Sequence, residues 1–208
     1  MAMNVVRSSE SVEHLRLVCY RWPRDIAWPK RVGLALTMAV LTGLAAQVRI
    51  PLADTPVPVT GQVFMVLLSG VLLGGPWGGL SQALYVGLGA AGVPWFTGWA
   101  AGVPAGPTAG YLMGFIVAAS WIGWVTDRFT WARFFVPQLA LMMVGVAVIL
   151  TLGAVGFHLT TGLGLVATLK AAFVPFVFVD LFKAIAAAGI SSTLLPKRSG
   201  DTGMCNGR

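Results

Sequence analysis

Two charged residues, Asp180 and Lys183, stand three apart inside FVPFVFVDLFKAIAAAGI, a run from Phe173 to Ile190 that is otherwise uncharged. On a helix, residues three apart share a face, with Cβ atoms about 5–6 Å from one another. The run is long enough to cross a bilayer. An ionised side chain near the bilayer centre costs at least about 2.5–3.5 kcal/mol on insertion scales, so both side chains are expected to face the protein interior. Such a pair can be a structural ion pair that fixes helix packing, a polar clamp for a small ligand, or a piece of a proton or ion relay. A relay needs a file of titratable groups, and apart from His158, near a span end, no other stands out in the apolar runs. The clamp fits better.

Gln62 and Tyr85 are polar residues inside or near apolar runs, and each could reach a ligand or hydrogen-bond a neighbouring helix. Ala35, Ala39 and Gly43, in LALTMAVLTGLA, put a small residue at every fourth position. That is a smooth stripe where another helix can approach closely, either from the same chain or from a different subunit. Enzyme signatures are absent: there is no nucleotide loop, no metal-ligand pair on a helix, and no Ser or Cys nucleophile set beside a histidine. Transport driven by ATP would need ATPases on other chains.

The elements that hold these residues follow from composition. Of the 208 residues 57% are hydrophobic and only 10% charged, with a mean hydropathy of +0.81. A soluble domain carries about 25% charged residues, so this reads as an integral membrane protein with room for about six spans of roughly 20 residues. The net charge of +7 is topogenic rather than a nucleic-acid face. Arg7, Arg16, Arg21, Arg24, Lys30 and Arg31 precede the first apolar run, Arg128 and Arg133 bracket an interior turn, and Lys197 and Arg198 follow the last run. Basic residues are held on the cytoplasmic side.

The apolar runs extend roughly over Val32–Val48, Val59–Gly74, Gly78–Val93, Ala109–Thr126, Val136–Phe157 and Val166–Leu195. In lipid, backbone groups must be satisfied internally, so these are read as helices. The expected fold is an all-α, compact six-transmembrane-helix bundle over residues 31–195. Polar cytoplasmic tails are expected over 1–30 and 196–208, so both termini lie inside. The head of the chain is no cleaved secretory signal, since its polar stretch is too long; up to about Trp28 it reads as a disordered or interfacial segment. Cys19 and Cys205 fall in these tails, where neither a structural disulfide nor a metal site is expected. The connection RIPLADTPVPVTGQ is held extended by its prolines. GVPWFTGWAAGVPAGPTAGY carries Trp95, Phe96 and Trp99, and is a surface connection or an aromatic lid over a cavity. Trp28, Trp77, Trp121 and Trp124 look like interfacial anchors.

Taken together, IPLADTPVPVTGQVFMVLLSGVLLGG, YVGLGAAGVPWFTG, GPTAGYLMGF and the Asp-x-x-Lys of VDLFKAIAA resemble the BioY family, over about Leu34 to Leu195. These are the biotin-specific substrate-binding (S) components of energy-coupling-factor (ECF) transporters. Where that family usually carries Pro-Gly ahead of the aspartate, this chain reads Phe178-Val179. The resemblance implies a six-helix membrane subunit that captures biotin from outside a bacterial cytoplasmic membrane. It implies a transmembrane coupling protein and two cytoplasmic ATPases as partners, and toppling of the bundle to release the vitamin. Asp180 and Lys183, with Gln62, Tyr85, Phe96 and Thr97, are then the candidate substrate contacts, and Ala35, Ala39 and Gly43 the candidate docking stripe. Biotin is a transported ligand, and neither cofactor nor metal is expected. Its ureido N–H groups suit an aspartate, and its carbonyl or carboxylate suits a lysine. The alternatives are an S component for another vitamin, or a non-transporting scaffold or assembly subunit whose Asp180–Lys183 pair is structural.

Overall fold

The computed structural model of the chain describes residues 2–197, without the side chains of residues 2–12 and of Cys19. Arg198, Cys205 and all of the expected C-terminal tail beyond Lys197 lie outside the described residues. In chain order the elements are α1 (Ala2–Asp25), α2 (Trp28–Gln47), strands β1 (Arg49–Leu52) and β2 (Thr55–Thr60), α3 (Gln62–Leu73), α4 (Gly75–Ala90) and α5 (Ala109–Arg128). A 3-10 turn over Thr130–Arg133, then α6 (Phe135–Thr161), α7 (Leu165–Ala172) and α8 (Val174–Leu194) complete the chain.

Proline and glycine punctuate these helices. Pro29, Pro76 and Pro175 sit in the first turns of α2, α4 and α8, where a missing N–H costs no hydrogen bond. Gly74 joins α3 to α4 with φ +86° and ψ 169°, a conformation open only to glycine. A Cβ there would also stand 2.5 Å from Asp127 Oδ2.

The second apolar run starts as a strand rather than a helix. β1 and β2 pair antiparallel, Ile50 opposite Val59 and Leu52 opposite Thr55, and β2 buries Thr55, Val57 and Val59 on one face. Alternation with proline therefore holds Thr55–Thr60 extended, and the fold is mostly helical with one small hairpin rather than wholly α. α3 is left with 12 residues, about 18 Å at 1.5 Å per residue. None of its residues is exposed. It is the central helix, with α2, α4, α5 and α8 packed around it. Gln82 of α4 ties three helices together there, its Nε2 lying 3.0 Å from Ser69 Oγ, 3.3 Å from Thr42 Oγ1 and 3.2 Å from Ser81 Oγ.

The polar head contains a helix, and α1 is fastened to one end of the bundle. Arg24 reaches Asp127 Oδ1 at 2.6 Å and the Val71 carbonyl at 3.1 Å. Tyr20 donates to the same carboxylate oxygen at 2.8 Å and accepts from Arg133 at 2.9 Å. Burial pushes the Tyr20 hydroxyl up to about 12, so it stays a neutral donor around neutral pH. Farther along α1, Arg16 Nε donates to the Thr193 carbonyl at 2.9 Å, and Glu13 accepts from the Lys197 amide at 2.7 Å. The cations of α1 thus satisfy carbonyls freed at the ends of α3 and α8, where the helix dipole favours positive charge.

Among the described residues three segments are long and apolar enough to cross a membrane: Ala109–Arg128, Phe135–Thr161 and Leu165–Leu194. The last is interrupted at Phe173, whose φ of −130° and ψ of −62° separate α7 from α8. The other expected spans form helices too, but α3 and α4 have only 12 and 16 residues, and α2 carries Lys30 and Arg31 in its first turn. The chain is a multi-pass membrane protein.

Candidate functional site

α8 presents two unlike faces. Phe178 and Phe182 are 70% and 71% exposed, whereas Asp180, between them in sequence, is buried. The helical period turns Asp180 and Lys183 together toward the interior. Lys183 Nζ donates to Asp180 Oδ1 at 2.6 Å. α8 runs unbroken through Phe178-Val179, so the absence of Pro-Gly leaves the aspartate on regular helix. The ion pair uses one of the three ammonium donors and bonds one of the two carboxylate oxygens.

Both residues line a cavity of about 280 Å³, and so do Gln62, Tyr85, Phe96 and Thr97. The structure thus brings all six candidate contacts into one site, from α3, α4, α8 and the connection between α4 and α5. A second, neutral hydrogen-bond network also lines the cavity. Gln62 Nε2 donates to the Tyr85 hydroxyl at 2.8 Å, and its Oε1 accepts from Thr60 at 2.8 Å and Thr97 at 3.4 Å. Gln62 is therefore both a helix-to-helix link and part of the cavity wall. Phe96 meets the Tyr85 ring edge-on at 5.4 Å. The remaining wall is largely apolar, with Val63, Phe115, Leu150 and Phe176 among its residues.

Some of the site could not be read from residue types. Tyr111 of α5 lines the cavity, and its hydroxyl donates to the Ala172 carbonyl at the α7–α8 break. Its ring lies where Gly153 of α6 leaves room, since a Cβ on Gly153 would stand 2.3 Å from it. The stretch GPTAGY contains Tyr111, but nothing local to it signals a partner 61 residues away. The three aromatics of the long connection also separate in role. Trp95 is buried and donates from Nε1 to the Tyr85 carbonyl at 2.9 Å. Phe96 lines the cavity. Trp99 is 61% exposed and adopts φ +61°.

The stripe expected to dock on another subunit needs correction. Ala35 and Ala39 are 0% exposed, and Gly43 is also buried, with Trp95 Cβ 3.0 Å from where its own Cβ would stand. α2 turns these small residues toward its own chain, where α3 and α4 pack against it. Its outward side chains are Leu36, Thr37, Val40, Leu41 and Leu44, most of them larger. Close approach is real here, but it serves the bundle.

A model of the BioY family matches residues 20–199. A probable biotin transporter BioY of Methanothermobacter thermautotrophicus is 41% identical over 139 residues, covering 62% of this chain and 88% of that protein. The biotin transporter BioY of Thermotoga maritima is 39% identical over 158 residues, covering 73% of this chain and 87% of its own. In fold, the chain is similar to the crystal structure of an S-component for biotin from an ECF-type ABC transporter. The TM-score is 0.73 at 24% identity, over 82% of this chain and 93% of that one. The described cavity, the helices around it and a family match running from α1 to beyond α8 converge on one assignment: the chain belongs to the BioY family.

Proposed function

We propose that this chain is the biotin-binding membrane subunit of an ECF-type uptake transporter. The observation that carries the reading is one cavity with two separate polar groups in a largely apolar wall: the Asp180–Lys183 ion pair on α8, and the neutral Gln62–Tyr85–Thr60–Thr97 network. Biotin has matching chemistry, with an apolar thioether bicycle, a ureido group offering two donors and an acceptor, and a distal carboxylate. An apolar pocket with a few placed polar groups suits such a ligand.

In this reading six helical passes, α2 to α6 and the α7–α8 unit, span the cytoplasmic membrane of a bacterium. Residues 31–195 form the binding domain, and the tails 1–30 and 196–208 are both cytoplasmic. The basic residues of α1 and of the turn after α5 support that orientation. No catalytic step and no cofactor is assigned to the chain. Inward release relies on a transmembrane coupling protein and two ATPases on other chains.

Equilibrium binding of labelled biotin to the detergent-purified full chain tests the reading. Saturable binding, competed by unlabelled biotin and not by other vitamins, is expected. A folded preparation that takes up no biotin would overturn it.

A further inference from the structure

Leu15, Val18 and Trp22 of α1 are 62%, 49% and 56% exposed. Their spacing of three and then four residues makes them one stripe along the helix. Arg16, Tyr20 and Arg24, which reach Thr193, Asp127 and Val71, lie on the opposite side of the same helix. A helix docked on a globular core normally turns its apolar stripe inward. α1 is inverted: its polar side is spent on the bundle, and its apolar side is offered outward. Residues 2–19 also precede the part of the chain that the family model matches, so most of this surface belongs to the chain's own extension.

The flanks of the stripe indicate what covers it. Arg21 and, in the first turn of α2, Lys30 are exposed and outweigh the exposed Asp25. Trp28 opens α2 and is 72% exposed, and the outward apolar side chains that follow on α2 include Leu36, Val40, Leu41 and Leu44. Exposed apolar side chains are thus carried both by α1 and by the helix that follows it into the membrane. Tryptophan at the head of a span, an apolar stripe and cations at its margin are the marks of a helix lying in the membrane interface. Cations at that depth favour anionic headgroups.

We propose that α1 is an interfacial foot, with Leu15, Val18 and Trp22 among the acyl chains of an anionic leaflet and Arg21 and Lys30 over its phosphates. The test places a spin label at Val18→Cys in the full chain, with Cys19→Ser and Cys205→Ser as background. The protein is reconstituted into vesicles of phosphatidylcholine alone, or of phosphatidylcholine and phosphatidylglycerol in equal parts. Collisions of the label with dissolved oxygen and with a water-soluble nickel chelate are then compared.

In the mixed vesicles, oxygen access is expected to exceed nickel access several-fold, close to the ratio for a label at Val40→Cys. In phosphatidylcholine alone the ratio should be smaller. Leu15→Cys gives a second vantage point with the same expected pattern, and elution as a single species confirms that each labelled protein is folded. Dominant nickel access at both positions in both vesicle types would overturn the proposal. So would a label that is open to nickel in the isolated chain and shielded only when a coupling subunit is added, which would make the stripe a protein-docking surface. Biotin binding is not used in this readout, so its outcome is independent of the transport assignment.

Discussion

Asp180 and Lys183 hold one another at 2.6 Å, which makes each the other's counter-charge and both a charged part of the cavity wall. Substituting Asp180→Asn or Lys183→Met is expected to weaken biotin binding by about 1.5–3 kcal/mol, the usual worth of a hydrogen bond to a charged group. That is about tenfold or more in dissociation constant. Either change also strands the other charge, buried for Asp180 and partly buried for Lys183, so the amount of folded protein must be measured beside the affinity. Two folded variants that bind as tightly as the parent would show that the pair only fixes helix packing. Tyr111→Phe makes a different demand. It removes the donor to the Ala172 carbonyl at the helix break, and a lost buried hydrogen bond costs about 1–3 kcal/mol when its partner is left unsatisfied. Thermal unfolding should shift downward by about 2–4 °C per kcal/mol for a chain of this size. An unchanged melting temperature would show that water replaces the tyrosine.

At the scale of elements, the small-residue stripe of α2 gives opposite expectations according to the direction it faces. With Ala39 at 0% exposure, Ala39→Trp overpacks the bundle, and such insertions cost about 1–3 kcal/mol or more. Stability and biotin binding should fall together on one preparation. Intact binding with failed co-purification of a coupling protein would restore the docking role. At the turn between α3 and α4, Gly74→Ala should destabilise by about 1–3 kcal/mol, the cost of a backbone conformation reserved for glycine. Denaturant melts that matched the parent would show that the turn relaxes. The hairpin and the stripe also mark what could be read before the structure. The extended character of RIPLADTPVPVTGQ was legible because proline acts locally. The inward side of Ala35 was not, because a row of small residues fits two neighbours equally well and only tertiary packing chooses between them. The inward placement of Asp180 was legible because a charge in an apolar run is costly to leave facing lipid. Tyr111 was hidden because its role depends on Ala172 and Gly153, far away in sequence.

For the whole molecule, the placement of positive charge is the simplest guide to orientation. α1, with Arg16 and Arg24, fastens to the same bundle end as Asp127 and Arg133, and Lys197 follows at the end of α8. Single cysteines placed near each terminus should therefore react with impermeant reagent from one and the same side of the membrane. Labelling from opposite sides would exclude an even number of passes. The apolar runs located the helices to within a few residues, yet the lengths of α3 and α4 show why hydropathy alone overstates what each segment does. α3 needs no lipid-spanning length because other helices surround it.

The connection between α4 and α5 has a consequence for how selectivity can change. From Ala100 to Gly106 every residue lines the cavity, and the set is small apart from one valine and one proline. None of these residues belongs to a helix, so side chains here can grow without disturbing the packing between helices. With Gly102 excepted, whose φ of +101° suits glycine alone, this makes the segment a dial for ligand size that evolution or an engineer could turn one position at a time. Ala101→Leu, for example, should trim the space available to the ligand and discriminate against bulkier analogues while the melting temperature stays near that of the parent.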